Sequence, residues 1–586
     1  MKSLRRMLAY LAPYRKETLL AMVLIIGVTI TDLVSPRLTQ DIIDKGVVPR
    51  DMGVIVRTAL LMIGAAALGA VLAIANTIYA VRASQSFGAD VRSTIVRKVQ
   101  SLSFGNLDRL QTGQLIVRAT SDVNQLQAMV MMSLRMLVRA PLWILGSVTM
   151  LIIGAPQLAW LMVALIPFLF VLIFSFGSKV RPMFMAVQAR LDRLNQVLQE
   201  NLAGVRVVKA FVRMDHENAR FGAANEDLMQ QGIRIARFMA ILMPSMLTVV
   251  NLASVGAVWF GGVQAIEGGL TVGQLVAAIN YLARSLFPLM ILGGMIGPLS
   301  AADASAERIL QVLDSEPEVR DQVAGLPATA TPQPNGGARV AFENVVFSYD
   351  GGCGEPVLAG INLVAEPGQE VALLGATGSG KSSLVHLIPR FYDVCQGRVT
   401  LDGVDIRDLP LHDLRAQMGI ALQEAVLFTG TVRDNIRYGR PEASDDEVIA
   451  AAKAAQAHDF VMAFPDGYET IVGERGANLS GGQKQRLAIA RALLVQPRVL
   501  ILDDSTSSVD VETETKIQEA LDRLMRGRTT FVIAQRISTV LNADKIVVLE
   551  RGQIAAEGTH DELMASSAIY REIYQSQLGN GGENHG

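Results

Sequence analysis

Cysteine is almost missing from this sequence, with Cys353 and Cys395 the only two among 586 residues. So few thiols exclude a disulfide framework, and their separation matches no zinc-ligand spacing; both read as ordinary residues of a reducing compartment. An excess of charge of one sign is missing too. The 53 Lys and Arg against 55 Asp and Glu leave a net charge of −2, which argues against a face built to neutralise nucleic-acid phosphates. A cleavable signal is the third absence. The first apolar run is long enough to span a bilayer and no small-residue cleavage site follows it, so the first helix is expected to stay in the mature protein.

What the chain has in quantity is apolar residues, half of the total and unevenly spread. Long apolar runs crowd the first half, whereas the remainder mixes strand, helix and turn patterns, and the length itself calls for at least two domains. The stretches 17–38, 54–82, 133–154, 157–178, 238–264 and 271–299 each reach the roughly 20 residues of a spanning helix. Six spans put both ends on one side, and Lys2, Arg5, Arg6, Arg15 and Lys16 assign that side to the cytoplasm by the positive-inside rule. The links within span pairs are short, as at Gly154-Ala155-Pro156 and Glu267-Gly268-Gly269. Between spans two and three, and between four and five, lie long charged segments with few Gly or Pro breakers. These are expected to continue the spans as helices for about 35–40 Å beyond the bilayer. Phe104-Gly105-Asn106-Leu107-Asp108 and Glu200-Asn201-Leu202-Ala203-Gly204 sit near the two turning points, where a second domain could dock. The expected division is a transmembrane domain over 1–313, a Pro, Gly, Ala and Thr linker over 314–339, a soluble domain over 340–578 and a tail over 579–586.

The chemistry lies in the soluble part. Glu370 to Leu374 reads as a strand running into Gly375, Ala376, Thr377, Gly378, Ser379, Gly380, Lys381, Ser382 and Ser383, then an apolar helix. This strand, loop and helix match the phosphate-binding loop: the glycines let backbone amides approach phosphates, Lys381 reaches the β- and γ-phosphates, and Ser382 can ligate Mg²⁺. Val499 to Asp503 is an apolar strand ending in a carboxylate, the arrangement that holds Mg²⁺ beside a nucleotide. ATP and Mg²⁺ are the expected ligands.

Leu479-Ser480-Gly481-Gly482-Gln483 opens a helix rich in Arg and Ala, and here the sequence resembles the ATP-binding-cassette family over essentially the whole soluble half. The resemblance implies that Tyr349 stacks on adenine, that Gln423 contacts Mg²⁺ and the attacking water, and that Ser507-Ser508-Val509-Asp510 crosses to the opposite monomer. It also assigns Gly473-Glu474-Arg475-Gly476 to the segment facing the coupling helices of exporters. The implied fold is a polytopic six-span membrane domain of the exporter type joined to an α/β P-loop NTPase domain with antiparallel β and helical subdomains. Ser480 and the Gly481 and Gly482 amides, with Gln483 beside them, form a second helix N-terminus suited to a γ-phosphate. In this family that phosphate belongs to the nucleotide of the other monomer, so one chain cannot complete an ATP site.

Two positions depart from the family. Its general base after the Mg²⁺ carboxylate is Glu, and here it is Asp504; its switch histidine aligns with Gln535, which can hydrogen-bond but carries no charge. These losses resemble the degenerate-site subunit of heterodimeric multidrug exporters. The reading is therefore an ATPase that exports amphipathic small molecules or lipids across the cell membrane, paired with a second half-transporter carrying Glu and His. A homodimeric exporter and an ATP-gated channel or nucleotide sensor remain alternatives. Arg135, Arg139 and Arg284 fall roughly mid-span, where charges are costly and tend to face a wet cavity, and are candidate substrate contacts.

Overall fold

The computed structural model describes residues 2–321, 336–350, 354–503, 516–517, 519–520, 527–534, 537 and 540–578. They form two compact units: Met1–Gln100 with Thr112–Asp314, and Ser101–Gln111 with Ser315–Gly586.

The first unit is built from six helices long and apolar enough to cross a membrane: α1 (Lys2–Val47), α2 (Met52–Ser101), α3 (Thr112–Gly154), α4 (Pro156–Ala203), α5 (Met214–Ile266) and α6 (Val272–Leu313). Each is 42 to 53 residues long, about twice what a bilayer core requires. The surplus is the charged sequence between the apolar runs, in which breakers are few and Pro182 of α4 is carried within the helix. Large apolar side chains such as Ile63, Phe170 and Trp259 lie exposed along the apolar stretches, as expected of surfaces solvated by lipid. Inside, α4 packs on α5 and α1 packs on α3 and α6. Met162, Leu165 and Leu169 of α4 meet Met246 and Val250 of α5 and Leu282 of α6 in one cluster; Met7, Phe87, Leu126 and Ile309 anchor another. Polar ties fix the neighbours. Asn76 Nδ2 donates to the Ala21 carbonyl at 2.7 Å, and Asp122 of α3 accepts from Ser305 and Arg308 of α6, each at 2.9 Å. The first turn of α6 is held by Thr271, whose side chain caps it with Gln274 while donating to Asp44 of α1 at 2.5 Å. The second turning point belongs to this unit: α4 ends at Ala203, a short helix Val205–Ala210 follows, and Phe211 and Val212 are 74% and 78% exposed.

The second unit is built on β1 (Val340–Phe347), β2 (Leu358–Ala365), β3 (Glu370–Leu374), β4 (Gln396–Leu401), β5 (Val404–Asp405), β6 (Met418–Ala421), β7 (Gly430–Thr431), β8 (Ile471–Val472), β9 (Val499–Asp503), β10 (Thr529–Ile533), β11 (Lys545–Glu550) and β12 (Gln553–Gly558). The main sheet has the order β12-β11-β3-β10-β9-β6, parallel except for β12. β9 and β10 are buried along their whole length, as strands covered on both faces must be, and are apolar over residues 499–502 and 531–533, with Asp503 and Thr529-Thr530 at their ends. A second, antiparallel sheet has the order β2-β1-β4-β5. Helix α7 (Lys381–Leu387) packs on β9 and β10. A helical region contributes α8 (Val432–Arg437), α9 (Asp445–Ala454) and α10 (Gly481–Leu494), with α10 lying on β6 and β9.

The short helix Phe104–Arg109, between α2 and α3 in the chain, is part of this unit. Phe104 stacks on Phe391 with ring centroids 4.1 Å apart, the Tyr392 hydroxyl donates to Asp108 at 2.6 Å, and Asn106 Nδ2 donates to the Glu316 carbonyl at 3.1 Å. The Glu318 amide donates to Ser103 at 3.0 Å, and Arg109 pairs with Glu318.

Candidate functional site

Parallel pairing brings the chemistry to one edge. Ala421 of β6 pairs with Leu502 of β9, Asp503 with Ile533 of β10, and Ile533 with Leu373 of β3. Gln423, Asp503 and the 375–380 loop therefore all leave the sheet at the carboxyl ends of adjacent strands, where open α/β sheets bind ligands.

The loop needs its glycines. Gly378 and Gly380 have φ of 82° and 101°, and a Cβ on Gly380 would stand 2.7 Å from Leu358 Cδ2. Lys381 Nζ donates to the Gly375 and Ala376 carbonyls at 2.8 and 2.9 Å, which folds the ammonium across the loop mouth. Ser379 is 5% exposed and its Oγ is buried with no partner. A buried hydroxyl left unsatisfied beside a lysine whose ammonium lies on the loop carbonyls fits a phosphate group. Ala376, Thr377 and Gly378 are exposed at the rim, and Ser383 is buried behind it.

Ser382 Oγ donates to Asp503 Oδ1 at 3.1 Å. Asp503 is 3% exposed, and burial pushes its carboxyl above the usual carboxylate range against the opposing pull of His386, Ser382 and Lys381. His386, one turn along α7 from Ser382, places Nε2 3.6 Å from Asp503 Oδ2; burial pushes its imidazole down, so it faces the carboxylate neutral near pH 7. Ser382 and Asp503 fit a hard cation, with exposed Gln423 in the adjoining loop; Mg²⁺ held there would supply charge neutralisation at the phosphates.

Tyr349 follows β1. Its hydroxyl bonds Ser383 Oγ at 2.8 Å, and its ring meets Phe347 and Tyr392 edge-on at 4.8 and 5.1 Å. Burial raises its hydroxyl's pKa, and burial followed by the Asp108 bond raises that of Tyr392.

Ser480 is the N-cap of α10 and exchanges both bonds of a capping box with Gln483: its amide donates to Gln483 Oε1 at 2.9 Å and its Oγ accepts from the Gln483 amide at 3.3 Å. Gln483 thus serves the helix start, which leaves exposed Gly481 and half-buried Gly482 as the open backbone donors. The segment 473–476 is a tight turn in which Arg475 and Gly476 take φ of 50° and 68° and Glu474 and Arg475 are exposed. Asp504, Ser507-Ser508-Val509-Asp510, Gln535 and Cys353 lie outside the described residues, as do 322–335 of the linker and the tail 579–586.

In the membrane unit, Arg139 Nη2 donates to Asp32 Oδ2 of α1 at 2.5 Å, a partner that sequence reasoning missed. Arg139, Arg284 and Asp32 line a common cavity. Arg135 is half-buried in the π-helical turn Ser133–Leu137 and is not on that cavity's wall. His386 and Tyr392 were also missed, being single residues without a spacing signal.

Residues 18–289 match the family described as ABC transporter transmembrane region, and residues 358–507 match the family described as ABC transporter. The chain is 38% identical over 584 residues to the ABC transporter ATP-binding protein YfiB of Bacillus subtilis, covering 99% of each chain. It is 39% identical over 496 residues to the ATP-dependent lipid A-core flippase of Syntrophus aciditrophicus, covering 84% of this chain and 81% of that one. Among solved structures it is similar to a bacterial Atm1-family ABC exporter with ATP bound, at a TM-score of 0.79 and 28% identity, covering 97% of this chain and 99% of the other.

Proposed function

Because the chain belongs to the ATP-binding-cassette transporter family, we propose that it is the degenerate-site half of a heterodimeric exporter of amphipathic small molecules or lipids. The chain is a multi-pass ABC exporter chain whose ATP hydrolysis is coupled to transport. The observation that carries the reading is the gathering of the 375–380 loop, Lys381, Ser382 and Asp503 at one sheet edge, in a chain that also carries six apolar helices.

The heterodimer rests on two residues. Asp504 is one methylene shorter than Glu, and a displacement of about 1 Å in a general base costs on the order of a hundredfold in rate. Gln535 replaces the family's charged switch residue. In a homodimer both composite sites would carry both losses. Paired with a half-transporter bearing Glu and His, this chain would confine them to one site and lend the capped donors of Ser480, Gly481 and Gly482 to the other. Ser382, Asp503 and Gln423 would hold Mg²⁺. The basic N-terminus and the even number of spans support a cell-membrane location with the soluble unit and both termini in the cytoplasm.

The test is to purify the chain alone and with its candidate partner and to measure ATPase activity and transport in vesicles. Slow turnover alone and fast turnover in the pair is the expected result. A homodimer turning over several ATP per second, a typical enzyme rate, removes the heterodimer; ion conductance without ATP-driven accumulation replaces export with a channel.

A further inference from the structure

Arg284 lies twelve residues into α6 and Arg139 fifteen residues before the end of α3. At 1.5 Å per residue these positions are ~18 and ~22 Å from the helix ends, well inside the apolar stretches. Asp32 of α1 is bound to Arg139 at 2.5 Å, so those two charges cancel. Among the described residues no carboxylate is within ion-pair reach of Arg284, which is exposed. The trio thus presents one uncompensated positive charge at membrane depth. Such a charge is costly in hydrocarbon and points to a functional counter-charge.

Two cavities meet at the trio. One, of about 260 Å³, is walled by Trp143, Phe287 and Ile291 together with Asp32, Arg139 and Arg284. The other, of about 630 Å³, is a slot between α1 and α2, lined by Val28, Ala66, Gly69 and Ala73 and again by the trio. Small side chains on α2 leave this slot open, and Gly69 lets α2 approach Thr31, the neighbour of Asp32. An apolar slot ending at a lone guanidinium has the shape and charge of an amphiphile with an anionic head.

We propose that this chain binds anionic amphiphiles, with a carboxylate or phosphate head on Arg284 and a hydrocarbon tail in the slot between α1 and α2, the Asp32–Arg139 pair setting the net charge of the head site to one. This rests on the export reading and specifies its cargo class. The tail exchanges one apolar medium for another, so selectivity resides in the head. A charge-assisted guanidinium contact makes the anion bind about tenfold to a hundredfold more tightly than a neutral analogue of equal length.

The experiment uses the full chain, with its partner subunit where the pair is the stable species, in phosphatidylcholine nanodiscs. Replacing Trp160 and Trp259 by Phe leaves Trp143, on the cavity wall, as this chain's only tryptophan; tryptophans of a partner subunit are likewise replaced. The probes are a 16-carbon carboxylate brominated beside its head and the matching alcohol and trimethylammonium, read by Trp143 quenching without ATP. The carboxylate is expected to quench at a tenfold or more lower mole fraction than the alcohol, Arg284→Gln to erase that preference, and Arg284→Lys to keep part of it. Asp32→Asn frees Arg139 and is expected to favour an alkyl phosphate dianion over the carboxylate, an independent readout should the Arg284 variants fail to fold. Equal quenching by carboxylate and alcohol, an intact preference in Arg284→Gln, or no effect of Asp32→Asn overturns the proposal. ATP is then added in vesicles: binding without ATP-driven accumulation would sink the export reading and leave the anion site standing.

Discussion

Phe104→Ala tests whether the packing of helix Phe104–Arg109 within the second unit is needed for ATP binding to be felt by the membrane helices. Phe104 stacks on Phe391 at 4.1 Å, and Phe391 lies 5.7 Å from His386, which faces Asp503. Truncating a fully buried Phe costs about 3–5 kcal/mol, and with 38% of Phe104 exposed the loss scales to about 2 kcal/mol, of which about 1 is the ring pair. At about 1.4 kcal/mol per factor of ten, the docked state of helix Phe104–Arg109 loses about thirtyfold in population ratio. The bonds from Tyr392, Glu318 and Asn106 remain, so the soluble unit is expected to stay folded and to bind ATP with unchanged affinity by calorimetry. The assay exploits the tryptophans: all three, Trp143, Trp160 and Trp259, lie in the membrane unit. An ATP-induced change in their fluorescence reports transmission. It is expected in the unmodified protein and strongly reduced in Phe104→Ala, with Phe104→Leu intermediate. A full response in Phe104→Ala at unchanged ATP affinity would refute the coupling role, and lost ATP affinity would refute the claim that the contact is separable from the site.

Three further outcomes are expected. Lys381→Ala removes the cation at the loop mouth and should weaken ATP binding at this chain's own site; unchanged affinity of that site for a fluorescent ATP analogue would sink the assignment. Ser480→Ala loses a cap worth about 1 kcal/mol, too little to unfold α10, yet should nearly abolish ATPase activity of the assembled transporter, as should Gly482→Asp; normal turnover would remove the shared-site picture. Asp503→Asn should raise the melting temperature of the nucleotide-free protein at pH 7–8 by roughly 2–4 °C per kcal/mol recovered. The sign follows from burial: the folded pKa of Asp503 exceeds its unfolded value, so the associated stability is present below the unfolded pKa and lost as pH rises through the folded one. The gain should shrink as pH falls towards the ordinary carboxylate range and more of the native carboxyl is protonated, and a lower melting temperature at pH 8 would contradict it.

Local patterns made much of this legible. Strand, Gly-rich loop and helix are consecutive in sequence, so Glu370 to Leu387 could be read without a partner, and the long helices followed from the scarcity of breakers. The capping pattern Ser-x-x-Gln at 480–483 was equally local, and its glutamine, read as a phosphate neighbour, also accepts from the Ser480 amide at the helix start. What escaped depends on distant pairings. Asp32 meets Arg139 across 107 positions and Tyr392 meets Asp108 across 284, and neither separation leaves a periodic trace. His386 escaped because a single imidazole on an apolar helix carries no signal until Asp503 is seen opposite it.

The membership of Ser101–Gln111 in the soluble unit bears on how such chains can be recombined. Severing the protein at Asp314 and grafting a foreign cassette would strand that inserted segment against a surface it never matched. A functional chimera must carry Phe104, Asn106 and Asp108 along with Phe391 and Tyr392, so the unit of exchange is discontinuous in the gene although it is contiguous in space.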